Sequence, residues 1–240
     1  MSPSDDAGEQ PKILRVAVFG AAGRMGRSLV RAVGEAGDMR LAGAVGRGDD
    51  LPADCDAVVD FTAPDASLAL AGRLAGRDNP PALVTGTTGF DETQLRRLEQ
   101  CTERVPILWS PNTSPGVNLM LDLVRQAARA LAGYQTEIAE THHAGKRDAP
   151  SGTALALAEA VAAGRGAALD AEAIHSTREG EVFGEHSVIW EGESEVLEIR
   201  HRALDRMIFA RGALLAARWL VHQPAGRLYR WADIDRPGDG

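Results

Sequence analysis

The sequence predicts an α/β protein: a Rossmann-like, doubly wound parallel sheet followed by an α+β module with an open mixed sheet. Three observations carry that prediction. Short apolar runs alternate with helical periodicity through the first half, a glycine-rich turn sits where the first run feeds the first helix, and after Trp109 the alternation gives way to a long helix and paired strand-like runs.

Ile13 to Phe19 is a β-branched-rich run ending at Gly20, and the pattern behind it sets Met25, Leu29, Ala32, Val33 and Ala36 on one helical face. Arg40 to Val45 and Ala57 to Phe61 read as the next strands, with a segment between them too short for a full crossover. A helix through Ser67 to Leu74, a strand at Ala82 to Thr85, a charged helix at Glu92 to Cys101 and a strand at Val105 to Trp109 follow. Strands spaced by helices of this length imply βαβ units with right-handed crossovers. Ser110 to Gly116 is turn-rich and reads as a hinge. Beyond it come a long amphipathic helix over about 117–131, a strand at Glu137 to Glu140, a polar loop from His142 to Gly152 and a helix from Thr153 to about Ala163. His186 to Trp190 and Val196 to Arg200 read as antiparallel neighbours. A last helix carries Ile208, Leu214, Leu215, Trp219 and Leu220, and residues 1–11 read as a disordered tail.

Composition narrows the function. The 240 residues are 44% hydrophobic and 25% charged, a globular balance. The net charge of −8 gives no general pull toward nucleic acid or an anionic membrane. No apolar stretch approaches a membrane span, and the polar, acidic start is unlike a signal peptide, so a cytoplasmic protein is expected. Cys55 and Cys101 form no spaced pattern for a disulfide framework or a thiolate metal site.

Gly20-Ala21-Ala22-Gly23-Arg24-Met25-Gly26 stands between the first strand and the first helix. Glycines there permit the tight turn, the approach of a pyrophosphate and close helix packing, and the helix N-terminus offers free N–H groups to the phosphates. At the end of the second strand, where an acid normally grips the adenosine ribose, stand Gly46 and Arg47. A guanidinium suits a 2′-phosphate, which favours NADPH over NADH; the competing reading gives the ribose to Asp49 or Asp50.

The segment Thr141-His142-His143-Ala-Gly-Lys146-Arg-Asp-Ala-Pro150-Ser151-Gly152-Thr153 joins a strand to a helix. It lacks carboxylates or thiolates in ligand spacing, so no metal is expected, and Ser151 follows no nucleophile-elbow pattern. Proton transfer by His142 and Lys146, with anion binding at the helix opened by Ser151, Gly152 and Thr153, is what remains. His175 and His222 have no constellation around them. His186 and His201 are expected to make structural hydrogen bonds, and Trp190 and Trp219 to lie in the core or an interface.

The stretch Glu140 to Thr153 resembles the signature of the 4-hydroxy-tetrahydrodipicolinate reductase family, which serves the diaminopimelate route to lysine. Val59-Asp-Phe-Thr62, Gly86-Thr-Thr-Gly-Phe90, Pro111-Asn112 with Gly116-Val-Asn118, Gly184-Glu-His186 and Ile199-Arg-His201 match in the family's order, as does the glycine turn. The resemblance implies reduction of a cyclic imine dicarboxylate by NADPH, or by NADH, with His142 and Lys146 as the catalytic pair. Gly20 to Met25 and Arg47 would hold the cofactor's phosphates, while Gly86, Thr87 and Thr88 with Ser110, Pro111, Asn112 and Thr113 would line the nicotinamide. His143, Lys146, Ser151, Gly152 and Thr153 would bind substrate. It further implies a nucleotide domain of residues 12–113 and 214–240, a substrate domain of residues 114–213, hinges at the connector and near Arg211-Gly212, and a homotetramer. Two other readings stand beside it: a dehydrogenase for another small imino or amino acid, and a non-catalytic NADP(H)-sensing regulator that would be expected to have lost His142 or Lys146.

Overall fold

The computed structural model describes residues 13–46 and 48–234; Arg47 and the expected tail at 1–11 lie outside them. In chain order the first elements are β1 (Leu14–Phe19), α1 (Arg24–Glu35), β2 (Met39–Val45), β3 (Ala57–Asp60), α2 (Pro64–Ala75), β4 (Ala82–Thr85), α3 (Glu92–Cys101) and β5 (Ile107–Trp109). Then come α4 (Pro115–Ala130), β6 (Gln135–His142), α5 (Gly152–Arg165), β7 (Ile174–Arg178), β8 (Glu185–Glu191), β9 (Val196–Arg202), α6 (Met207–Leu220) and β10 (Leu228–Tyr229).

Six strands form one parallel sheet in the order β10-β5-β4-β3-β1-β2. Val16 to Val18, Ala57 to Val59, Leu83 and Val84 are fully buried, which is why these strands read as unbroken apolar runs rather than alternating ones. Side chains of α1 and α6 pack on one face and those of α2 on the other. β2 passes to β3 without a helix, so the second crossover is abbreviated as its length predicts. Sheet growth reverses between β1 and β3, and the crevice outside the carboxyl ends of strands at such a point is where ligands bind in this architecture. The two-residue β10 was too short to leave a periodic signal.

The second sheet has the order β7-β6-β8-β9, with β6 and β7 parallel and the other pairs antiparallel. α4 and α5 cover one face, with Val124, Leu157 and Val161 in one core with Val188 and Trp190 of β8. Among the described residues no helix contributes to a core on the other face. Two expectations are corrected here. β7 was not foreseen, and β6 runs two residues beyond Glu140, so His142 ends a strand instead of opening a loop. The inward positions of β6 are Thr136, Ile138, Glu140 and His142, a mostly polar set that hides the two-residue period.

α6 ties the two parts together. The Thr113 hydroxyl donates to the Phe209 carbonyl at 2.7 Å, and Gly212 packs its bare Cα face on the Thr113 carbonyl. The two segments expected to act as hinges therefore touch each other.

Candidate active site

The glycine turn forms the first part of the site. Gly20 has φ +75°, a conformation that favours glycine, and a Cβ at Gly26 would strike the Gly20 carbonyl oxygen and lie 2.6 Å from Ala21 Cα. Gly23 is the N-cap of α1; it gives no side-chain cap, and the first turn carries no acid. Ala21, Ala22, Arg24 and Met25 line the same turn. The Ala21 and Gly23 N–H groups are taken by the Val45 and Gly20 carbonyls, while those of Arg24 and Met25 open the helix with no intrahelical acceptor and a positive helix end behind them. These residues fit a dinucleotide's pyrophosphate. Asp49 turns its carboxylate back on the Gly46 N–H at 2.8 Å, which leaves it capping its own turn.

The carboxyl ends of β3, β4 and β5 carry the next residues. Thr62 packs its methyl group on Gly20, and its N–H reaches the Thr87 hydroxyl at 3.0 Å. The Phe61 ring lies on Gly86, and Trp109 Nε1 donates to the Thr87 carbonyl at 2.8 Å. Thr87 is buried and Thr88 exposed. Ser110 bonds the Thr85 carbonyl through its N–H, and its hydroxyl donates to the Asn112 carbonyl at 2.6 Å. Asn112 Nδ2 then reaches Thr153 Oγ1 at 3.1 Å, joining the connector to the start of α5, while Pro111 is exposed beside it.

At the other end the fully buried Glu140 organises the chemistry. One carboxylate oxygen accepts from His142 Nδ1; the other accepts from Arg178 Nη2 at 2.7 Å and from the Ser151 N–H at 3.2 Å. Burial alone would raise the Glu140 pKa, but hydrogen bonds from Arg178, Ser176 and His142 outweigh it and hold the group at about 2. Burial pushes the His142 pKa below the ordinary histidine value, with Lys146 and Arg178 adding repulsion and Glu140 opposing them. The imidazole is then neutral, with its proton on Nδ1 facing Glu140 and its lone pair on Nε2. Gly184 lies against that Nε2, where a side chain would crowd it.

His186 stacks edge-on against His142 at 5.0 Å and faces the Ser151 hydroxyl at 3.3 Å. That hydroxyl also caps α5 through Ala154 N, so its hydrogen is left for His186 Nε2. Burial lowers the His186 pKa to about 3. Lys146 Nζ pairs with both oxygens of Asp148, at 2.8 and 2.7 Å. The His143 N–H donates to Val182 O at 2.7 Å, which pins the segment to the turn after β7. Gly152 is exposed at the first position of α5.

Contacts run from the glycine turn through Thr62, Thr87, Trp109, Ser110 and Asn112 to Thr153 at the start of α5, where the Ser151 N–H reaches Glu140 beside His142. Together they outline one candidate site, with Arg47 outside the described residues. Asp60, Glu140, Asp148, Arg178 and His186 were not foreseen as parts of it. Glu140 two residues before His142 on a strand was a usable signal, because alternate strand residues share a face. Arg178 left none. His186 does make a hydrogen bond, as expected, but within the site. The expectation that no carboxylate stands in ligand range is also corrected: atoms of Glu140, His142 and His186 lie within 4.8 Å of one another. Both Glu140 oxygens are already taken by N–H donors, and a cation there would have to displace a guanidinium. A groove of about 730 Å³ opens at the opposite edge of the parallel sheet, where Arg15 pairs with Asp56 and Arg218 with Asp38.

Comparison with known proteins adds an independent line. Residues 14–113 match the model of the dihydrodipicolinate reductase N-terminus, and residues 116–234 that of its C-terminus. The chain is 40% identical over 262 residues to the 4-hydroxy-tetrahydrodipicolinate reductase of Anaplasma marginale, covering 93% of this chain and 100% of that one. It is 42% identical over 250 residues to the enzyme of the same name from Caulobacter vibrioides, covering 92% and 96%. A dipicolinate-bound dihydrodipicolinate reductase from Paenisporosarcina sp. TG-14 shares the fold, with TM-score 0.75 and 24% identity over 91% of this chain and 97% of that one. The chain belongs to the dihydrodipicolinate reductase family of oxidoreductases.

Proposed function

We propose a residue-level account of the family's reaction in this chain: NAD(P)H-dependent reduction of 4-hydroxy-tetrahydrodipicolinate to tetrahydrodipicolinate, with the 4-hydroxyl group lost as water, in the diaminopimelate route to lysine. The cofactor, when bound, supplies the hydride. Gly20 to Met25 hold its pyrophosphate, Arg47 its 2′-phosphate, and Gly86, Thr87 and Thr88 with Ser110 to Thr113 the nicotinamide side. NADPH is the preferred reductant.

The hydrogen bond between Glu140 and His142 carries the reading of the chemistry. It fixes the ring and turns Nε2 away from Glu140, and the Lys146 ammonium acts on that ring electrostatically. Substrate carboxylates brought to His143, Ser151, Gly152 and Thr153 compete with Asp148 for Lys146 and favour protonation of His142 Nε2. The proton that completes the reduction is held between those two nitrogens, and the N-terminus of α5 orients the dicarboxylate. Residues 12–113 with 214–240 and residues 114–213 close over the ligands, and the uncovered sheet face builds a cytoplasmic homotetramer.

The test follows dihydronicotinamide absorbance with substrate made in place from aspartate semialdehyde and pyruvate by the preceding synthase. His142→Gln and Lys146→Ala should each lower kcat by about 10²- to 10³-fold with cofactor affinity intact. Arg47→Ala should raise KM for NADPH about tenfold and leave NADH untouched. Cofactor binding without turnover would favour the sensing regulator instead.

A further inference from the structure

Asp60, at the carboxyl end of β3, is fully buried, and no lysine, arginine or histidine among the described residues forms an ion pair with it. Its neighbours are all donors. Oδ1 accepts from the Thr62 N–H at 3.0 Å and the Thr62 hydroxyl at 2.6 Å. Oδ2 accepts from the Thr85 hydroxyl at 2.9 Å and the Thr87 hydroxyl at 3.1 Å. Since Thr85 spends its one hydrogen on Asp60, the Ser67 hydroxyl 3.1 Å away must donate to Thr85. An array in which every hydroxyl points its hydrogen inward is the solvation shell of an anion. A buried carboxylate without a cation is costly, and shape alone would be served by a neutral residue.

The position of this anion is as informative as its shell. Thr62 touches Gly20 across the β1/β3 reversal, Thr87 belongs to the segment after β4, and the Asp60 carbonyl accepts from Gly86 N at 2.9 Å. We infer that Asp60 is a positioning residue for the nicotinamide end of the dinucleotide, and that its uncompensated charge favours the oxidised, positively charged ring over the reduced, neutral one. This rests on the proposed role of Gly86 to Thr88. When a hydride leaves, two electrons and a proton go to the substrate and the donor ring gains one positive charge. An anion beneath the loop lowers the free energy of that product and of the transition state leading to it.

The test is a binding measurement. Dissociation constants for NADP⁺ and NADPH are measured calorimetrically on the full chain, on Asp60→Asn and on the smaller neutral Asp60→Ser. Loss of the charge should weaken NADP⁺ more than NADPH, raising the ratio of the two constants about fivefold. Thr87→Val, which keeps the charge, should weaken both equally. An unchanged ratio in folded Asp60 variants overturns the inference, as does failure of both neutral variants to fold, which would assign Asp60 to the fold alone. A wild-type chain that binds neither dinucleotide would sink the cofactor assignment itself, an outcome visible before any variant is made.

Discussion

Two buried carboxylates mark the two ends of the site, and they are built in opposite ways. Asp60 is surrounded by hydroxyls and a backbone N–H from residues 62, 85 and 87, all at the carboxyl edge of neighbouring parallel strands. Glu140 is held by Arg178 from β7, His142 from its own strand and the backbone of Ser151 at the start of α5. The first arrangement follows from the sheet, since adjacent strands bring short motifs together. The second depends on long side chains meeting from separate elements. One end is preorganised by short hydroxyl side chains on adjacent strands, the other by ion pairing between separate elements, so the two should fail differently.

The largest difference is expected for Glu140→Gln. An amide in place of the carboxylate turns a donor or a weak acceptor toward His142 Nδ1 and removes the negative charge that pairs with Arg178. Removing one member of a buried pair costs about 3 kcal/mol, and kcat should fall about 10²-fold as the ring loses its tautomer. Urea denaturation and steady-state rates at pH 7.5 check both. A variant with normal kcat would show that His142 needs no carboxylate, and the contrast between the two ends would lose its functional meaning.

Acid should loosen the Glu140 end selectively. His142, His186 and His201 are all held below the ordinary histidine value of 6.5, chiefly by burial, with His186 at about 3. The unfolded chain takes up these protons near pH 6.5 while the folded chain does not, so stability is full above that value and falls as pH drops below it. For His186 the loss continues to about pH 3, at about 1.4 kcal/mol per pH unit. Glu140, depressed to about 2, adds a further loss below 4.5. His186→Gln should therefore flatten the decline between about pH 6 and pH 4 by about one proton's slope. An unchanged slope would mean that His186 protonates freely in the folded chain.

The same asymmetry explains what could be read from residues alone. Gly20 to Gly26, Thr62 and Gly86 to Thr88 lie in short contiguous motifs whose chemistry is local, and the parallel strands announce themselves because both faces are buried. At the other end, Thr136, Glu140 and His142 occupy inward positions of β6 where apolar residues would have revealed a strand, and Arg178 meets Glu140 across 38 residues. His186 reads as an ordinary strand histidine until β8 is registered on β6, where it stands opposite Glu140. Asp60 is a different omission. It sits inside a matched motif, yet only the convergence of three threonine hydroxyls on its carboxyl group singles it out.

The smallest expected effect sharpens the comparison from the Asp60 side. Ser67, fully buried on α2, contributes the outermost hydroxyl of the array, donating to Thr85 Oγ1. Ser67→Ala leaves Thr85 able to donate to Asp60 and to accept from the Thr87 N–H at 3.2 Å, so no buried group loses its last partner. The cost should be about 1 kcal/mol, read from the shift in urea midpoint at constant m-value, with kcat and the NADP⁺ to NADPH affinity ratio within about twofold of wild type. A network tuned as a relay would transmit the loss to Asp60 and move that ratio. One that only solvates a charge in successive layers should feel the outer layer weakly, because the donors in contact with the carboxylate are all still in place.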